Sequence, residues 1–263
     1  MKIPKIYIIT LLDKKDRQRK VHAQFQHGGL SEENWEFFYT KKLETLPTNF
    51  SSKLFHKRYI RNAALGEIGC TLSHRKIWKK VSSIENGFGI ILEDDVSLEN
   101  KFFEFIKDLQ VKDLHKRFYN KSCIFLLGHS KTAKENLWMQ RLKQPLIETT
   151  YLSNTKFGIN SDINLCGTVG YLITSKAAKM LLKKNIFFNL ADDFKYYHSK
   201  GVIVYHPKLP LVYEDLNENI SSTGNEIKIF HKLYSRRIFF EIGKVILSSF
   251  RLLIYNFKKI FKK

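Results

Sequence analysis

Three adjacent carboxylates, Glu93-Asp94-Asp95, close the apolar or small run Phe88, Gly89, Ile90, Ile91 and Leu92. Neighbouring acids repel one another unless a cation or hydrogen-bond donors stabilise them. Such oxygens suit Mg²⁺ or Mn²⁺ held jointly by protein carboxylates and substrate phosphates. A solvated turn, or a helix start in which Asp95 or Ser97 caps a helix running toward Phe105, accounts for the same residues. A second acidic pair, Asp192-Asp193, lies in an otherwise apolar and aromatic stretch. Two acids side by side there raise the pKa of one of them, the property a general base needs near neutral pH. The pair also reads as the start of a helix through Phe194 to His198, with Asp192 as cap and Asp193 supporting the first turn. His206, placed in a loop before Pro207, and Glu214-Asp215 after Tyr213 offer further metal or acceptor contacts.

Strands and helices must carry these groups to one place. Lys5 to Leu11 is a short β-branched run followed by the charged stretch Asp13 to Lys20, the pattern of a buried strand leading into a helix. Phe88 to Leu92 and Ile124 to Leu127 read as further strands, both ending in polar residues. Between the first two, Leu65 to Val81 carries apolar residues at helical spacing, after a basic loop expected from Ser51 to Asn62. Val169 to Ile173 is expected as a strand, Ser175 to Leu182 as a helix capped by Ser175, and Val202 to Tyr205 as a strand that Pro207 and Pro210 terminate. Alternating strands and helices predict an α/β fold with a mostly parallel, Rossmann-like sheet and flanking helices. Ligands of such a sheet sit beyond the carboxyl ends of the strands, where the acidic triplet falls.

The chain has 263 residues, enough for one full core with a short appendage, and its 43% hydrophobic content excludes wholesale disorder. Its formal charge of +20 favours polyanionic partners. Much of that charge is in the tail, since Lys228 to Lys263 holds ten Lys or Arg and one acid, Glu241. Cys70, Cys123 and Cys166 are an odd number without a close pair, which argues against both a disulfide framework and a zinc site and for a reducing compartment. The opening residues read as a first strand and not as a signal peptide. No phosphate-binding Gly-x-x-x-x-Gly-Lys loop, serine-hydrolase elbow or His-Glu-x-x-His site is present, so those enzyme classes lose their usual support.

Ala64-Leu65-Gly66-Glu67-Ile68-Gly69-Cys70-Thr71-Leu72-Ser73-His74, then Ile77-Trp78, then Ile90-Ile91-Leu92-Glu93-Asp94-Asp95-Val96, resembles glycosyltransferase family 25. That family contains lipooligosaccharide galactosyltransferases and their collagen-modifying relatives. Ile9-Thr10-Leu11 with Arg17, Cys166 to Tyr171, and Asp192-Asp193-Phe194 match more loosely and in the same order, so the resemblance spans roughly residues 5 to 222. It implies a GT-A type fold, a UDP-sugar donor, Mn²⁺ or Mg²⁺ at the acidic triplet, and inversion at the anomeric carbon. It further implies metal contacts from Glu93 and Asp95, to which His206 is added as a candidate metal ligand from its own place in the sequence, and nucleotide or ribose contacts are expected from Thr10, Leu11, Arg17, Gly66, Glu67, Ser73, His74, Glu93 and Asp94. Gly69 would let backbone approach the nucleotide as Gly66 does. Gly167, Thr168 and Gly170 are expected in a tight turn against the donor sugar. Asp192 is the favoured base, with Asp193 beside it.

Residues 1–225 then form the catalytic domain and 226–263 a tail. In the tail Phe239, Ile242, Ile246, Phe250, Leu253, Phe257 and Ile260 recur at gaps of three or four among basic residues. This is a basic amphipathic helix, too short in apolar run to span a bilayer and suited to lying in an anionic interface. Docking on the domain or on a partner subunit is the alternative, and a homo-oligomer stays open. Its extensive apolar face argues against nucleic acid. The sequence therefore predicts a cytoplasmic enzyme, peripheral on the inner face of a bacterial inner membrane, that transfers a hexose, galactose above all, to a lipooligosaccharide or related lipid-linked acceptor. A metal-dependent nucleotidyl or phosphoryl transferase and a non-catalytic basic adaptor are the competing classes.

Overall fold

The computed structural model describes residues 3–85, 87–129, 137–138, 142, 144–160, 167, 169–215 and 234–261. The strands are β1 (Lys5–Leu11), β2 (Trp35–Thr40), β3 (Phe88–Glu93), β4 (Val96–Leu98), β5 (Cys123–Leu126), β6 (Gly128–His129), β7 (Leu146–Leu152), β8 (Thr155–Asn160), β9 (Gly170–Thr174), β10 (Ile203–Pro207) and β11 (Val212–Glu214). The helices are α1 (Lys15–His27), α2 (Ser52–Tyr59), α3 (Leu65–Ser82), α4 (Asn100–Asp108), α5 (Val111–Phe118), α6 (Ser175–Leu182), α7 (Phe194–Ser199) and α8 (Tyr234–Ile260).

Eight strands form one sheet in the order β2-β1-β3-β9-β5-β10-β8-β7. Following the pairings across it, β2, β1, β3, β5, β10 and β7 run one way, and β9 and β8 are reversed. The sheet is thus mostly parallel in strand direction, as the sequence predicts, although reversed β9 separates β3 from β5. Side chains alternate between its faces, as the two-residue period of a strand requires. Ile6, Ile8, Ile90 and Leu92 pack on one side with Phe25, Trp35 and Phe102, whereas Tyr7, Ile9 and Ile91 face Ile77, Trp78 and Val81 of α3 on the other. Gly89 lets α3 approach: a Cβ there would lie 2.4 Å from a Val81 methyl.

The strand ends β1 and β3 are in register, with Ile9 opposite Glu93. Thr10 and Asp94 therefore emerge side by side at the carboxyl edge. A small sheet, β4-β11-β6, covers the same edge and brings Glu214 opposite Val96. Asp215 donates its amide to the Asp95 carbonyl at 2.7 Å.

Several local expectations are corrected. The segment expected as a basic loop contains α2, because Ser51 caps it by accepting from the Leu54 amide and Phe55 is buried; Ile60 closes it in the left-handed region. The cap of α6 is Thr174, which accepts from Ala177 N at 3.2 Å, and not Ser175. Neither Asp95 nor Ser97 caps the helix toward Phe105: β4 intervenes and Glu99 precedes α4. Pro207 does not end regular structure before it but is the last residue of β10, and it puts His206 inside a strand. Among the described residues Cys70 and Cys123 are free thiols.

Candidate active site

A cleft of about 260 Å³ opens at the carboxyl edge of β1 and β3. Thr10, Leu11, Gly66, Gly69, Ser73, Glu93, Asp94 and Asp95 line it, together with Cys70 and four basic side chains, Lys14, Arg17, Lys41 and Lys42. The motifs alone point to most of the first group. Lys14, Lys41 and Lys42 belong to no motif, and their only signal is that they follow the ends of β1 and β2, which run parallel to β3.

The three acids are not equivalent. Asp94 is buried and saturated: its Oδ2 accepts from the Thr10 hydroxyl at 2.6 Å and its Oδ1 from Arg17 at 2.9 Å. Thr10 and Arg17, expected on the nucleotide, thus hold Asp94. Arg17 reaches Asp95 less closely, at 3.4 Å. Burial, and then the charges of Glu93, Glu214 and Asp94 against the relief given by Arg17, raise the Asp95 carboxyl to about 7. This surplus of negative charge is what a divalent cation offsets, and the hard oxygens of Glu93 and Asp95 fit Mn²⁺ or Mg²⁺. Glu93 shares the strand face of Ile91, so it looks toward α3, where His74 Nε2 lies 3.6 Å from its Oε1.

His206 does not join this group. It sits on β10, and β9 and β5 lie between that strand and β3. Three strand spacings put it about 14 Å away across the sheet. His206 instead lines a second cleft with Lys156, Lys208 and Pro210.

On α3, Glu67 does not line the cleft. It accepts from the Ala64 amide at 3.1 Å and pairs with Arg61, so it caps the helix; burial pulls its pKa up, but these donors win and leave it lowered. Ser73 spends its hydroxyl on the Gly69 carbonyl (2.8 Å) and the Thr40 hydroxyl (3.0 Å), which ties α3 to β2. His74 is fully buried, with Nδ1 2.8 Å from the Tyr171 hydroxyl, and that oxygen also accepts from Trp78 Nε1 at 2.7 Å. A direct contact of His74 with a nucleotide is therefore replaced by one with Glu93. A Cβ at Gly69 would make only ordinary contact with Leu43, so packing does not demand glycine there.

The second acidic pair divides its work. Asp193, not Asp192, caps α7, accepting from Tyr196 N at 3.0 Å; Arg58 grips both of its oxygens, one through Nη2 at 2.6 Å, and the Tyr59 hydroxyl adds another bond. Burial opposes ionisation of Asp193, but Arg58, Tyr59 and the Tyr196 amide overcome it and lower the pKa. With its lone pairs taken, Asp193 is a structural acid, which corrects its reading as catalytic. Asp192 accepts from the Gly167 amide at 3.0 Å. Burial raises its pKa, the Gly167 amide opposes that, and the Glu93 charge adds to it. Gly167 has φ +109°, a region that favours glycine, and this conformation aims its amide at Asp192. Thr168 lies outside the described residues.

The family model described as glycosyltransferase family 25 (LPS biosynthesis protein) matches residues 3–195. The chain belongs to glycosyltransferase family 25. Its sheet and cleft are those of a GT-A type α/β fold. Similar proteins include a glycosyltransferase 25 family member of Aedes aegypti, 27% identical over 70% of this chain and 28% of that protein. Procollagen galactosyltransferase 1-A of Xenopus laevis is 24% identical over 69% of this chain and 28% of its own length. A lipooligosaccharide biosynthesis protein of Haemophilus influenzae is 24% identical over 77% of this chain and 76% of its own length. The chain spans about a quarter to a half of the length of several other relatives, the mosquito protein and a mimivirus glycosyltransferase among them.

Proposed function

We propose that this chain is an inverting glycosyltransferase that moves a hexose, galactose above all, from a UDP-sugar to a lipooligosaccharide or related lipid-linked acceptor. The observation that carries the reading is a single cleft lined by both Glu93 and Asp95 and the basic side chains Lys14, Arg17, Lys41 and Lys42. Such a lining suits a pyrophosphate shared between a cation and basic side chains. The family and the match to a lipooligosaccharide biosynthesis protein along most of both chains support a saccharide acceptor.

In this reading Glu93 and Asp95 would hold Mn²⁺ or Mg²⁺, Lys14, Lys41 and Lys42 neutralise the phosphates, and Arg17 keeps Asp94 in place beside them. The chemistry such an ion would supply there is positive charge against the negative charge of the departing UDP. Asp192, kept basic by burial, accepts the proton of the acceptor hydroxyl. The acceptor oxygen then bonds to the anomeric carbon from the face opposite UDP, as the carbon–phosphate oxygen bond breaks, and configuration inverts. A screen of UDP-sugars with and without Mn²⁺, reading UDP release and then the linkage formed, tests this. Cation-dependent UDP release with one sugar is expected; release of pyrophosphate or phosphate instead would favour the nucleotidyl or phosphoryl alternative.

The tail gives the enzyme a place to work. On α8, Ile242, Ile246, Phe250, Leu253 and Phe257 are each at least half exposed and recur at gaps of three or four. None of the helices among the described residues is long and apolar enough to cross a membrane. An interfacial helix on the anionic inner leaflet of a bacterial inner membrane is consistent with both facts, each basic residue near the surface contributing about 1 kcal/mol. The protein should sediment with vesicles rich in anionic lipid and not with neutral ones, and Phe250→Asp with Phe257→Asp should abolish this.

A further inference from the structure

Cys70 and His74 are one helical turn apart, so they project from the same face of α3. Glu93, at the end of β3, faces them. The cysteine sulfur, one imidazole nitrogen and one carboxylate oxygen lie within 4.8 Å of one another. His74 Nδ1 is taken by Tyr171, so the ring turns Nε2 toward this point, and that buried nitrogen has no hydrogen-bond partner.

We propose that Cys70, His74 and Glu93 form a second metal site, for a borderline transition-metal ion such as Zn²⁺, distinct in chemistry from the hard-cation site at Glu93 and Asp95. Three facts point to it. A thiolate and an imidazole select zinc or cobalt over magnesium or manganese, and zinc outranks manganese at any such donor set. Three protein ligands with one open position are the usual complement of a reactive zinc site, and Cys70 and Glu93 both border the cleft through which an ion would enter. The 3.6 Å between His74 Nε2 and Glu93 Oε1 is close to the roughly 3.4 Å separating tetrahedral ligands at ordinary zinc bond lengths.

The surroundings also suit it. A metal-bound imidazole donates its other N–H to an oxygen that fixes the ring, and here Nδ1–H would donate to the Tyr171 oxygen, itself positioned by Trp78. Binding converts the Cys70 thiol to thiolate, with its proton released to solvent. Since Glu93 belongs to both sites, zinc bound here withdraws a ligand from the oxygen site. Zn²⁺ should then inhibit Mn²⁺-dependent turnover, but the site itself stands on these three side chains and not on the transferase reading.

The test uses the purified full chain and Co²⁺ as a spectroscopic stand-in. Expected are one Co²⁺ per chain, a thiolate-to-cobalt charge-transfer band, and its bleaching by one equivalent of Zn²⁺. The near-isosteric Cys70→Ser should lose the band, and His74→Gln, if circular dichroism shows it folded, should bind Co²⁺ about tenfold or more weakly. Asp95→Asn should keep the band while losing any UDP release, which separates this site from the catalytic reading. No band in the folded wild type, or a band that survives Cys70→Ser and so belongs to Cys123 or Cys166, overturns the proposal. A band lost in Asp95→Asn also overturns it, because the ion would then sit on the acidic triplet.

Discussion

The acidic corners at Glu93-Asp94-Asp95 and at Asp192-Asp193 are built alike. In each, an arginine and a hydroxyl grip one carboxylate: Arg17 and Thr10 on Asp94, Arg58 and Tyr59 on Asp193. In each, the neighbouring acid is left under-compensated and its pKa is raised, Asp95 to about 7 and Asp192 upward from the ordinary carboxylate range. They differ in what surrounds that second acid. Asp95 has Glu93, Glu214 and Asp94 pressing on it, a surplus that calls for a cation. Asp192 accepts from two backbone amides, those of Gly167 and of Asp192 itself, with the Glu93 and Asp193 carboxylates as the charges acting on it, and burial keeps it basic. In each corner the gripped acid is tied to the surrounding structure, and in the proposed mechanism its neighbour does the chemistry that the local charge allows.

The comparison breaks first on activity. Asp95→Asn and Glu93→Gln should each lower cation-dependent UDP release about 10³-fold, as losing several kcal/mol of charge stabilisation requires. Equal turnover in either variant would remove the cation from this corner. At the other corner Asp192→Asn should lower kcat by about 10²-fold or more with donor KM little changed, the signature of a lost base. Asp193→Asn should instead reduce thermal stability and leave in place the acid limb of the pH profile, where protonation silences the base; loss of that limb in Asp193→Asn and not in Asp192→Asn would exchange their roles.

Stability gives the smaller effects and sharpens the contrast. Arg58→Ala removes the paired charge from Asp193, and charge-assisted hydrogen bonds of this kind contribute about 1.5–3 kcal/mol. A fall in Tm of roughly 5 °C follows for a chain of this size. The two corners also respond to pH in opposite windows. Asp193 has a lowered pKa, so its stabilisation is present above the ordinary carboxylate value and lost as pH falls below it. Asp95 has a raised pKa, so its contribution is full below about 4 and lost as pH rises through about 7. Calorimetry of the metal-free protein should therefore show Tm rising from pH 8 to pH 5, and Asp95→Asn should flatten that slope.

Much of the site was legible because the motif residues are close in sequence. Glu93 to Asp95 follow a β-branched run directly, so their place at a strand end needs only local pattern. The same holds for β1, which spans Lys5–Leu11 as its apolar, β-branched run predicts, and for α3, whose apolar spacing extends from Leu65 to within one residue of its end. Short edge elements were not legible: β4, β6 and β11 have two or three residues each and exist because they pair with one another. The helix α2 was hidden by its charge, although Ser51 before Phe55 was a readable cap.

Residue type and order by themselves determined the α/β class, the acidic strand end, the second acidic pair and the basic tail, since each depends on neighbours within a few positions. Only the tertiary structure decided which member of each pair is gripped, that His206 is three strands away, and that Cys70, His74 and Glu93 meet. Those outcomes depend on groups such as Thr10 and Asp94, or Arg58 and Asp193, that are 84 and 135 residues apart in sequence. Burial and charge at such distances are properties of the packed sheet edge, and no local pattern carries them.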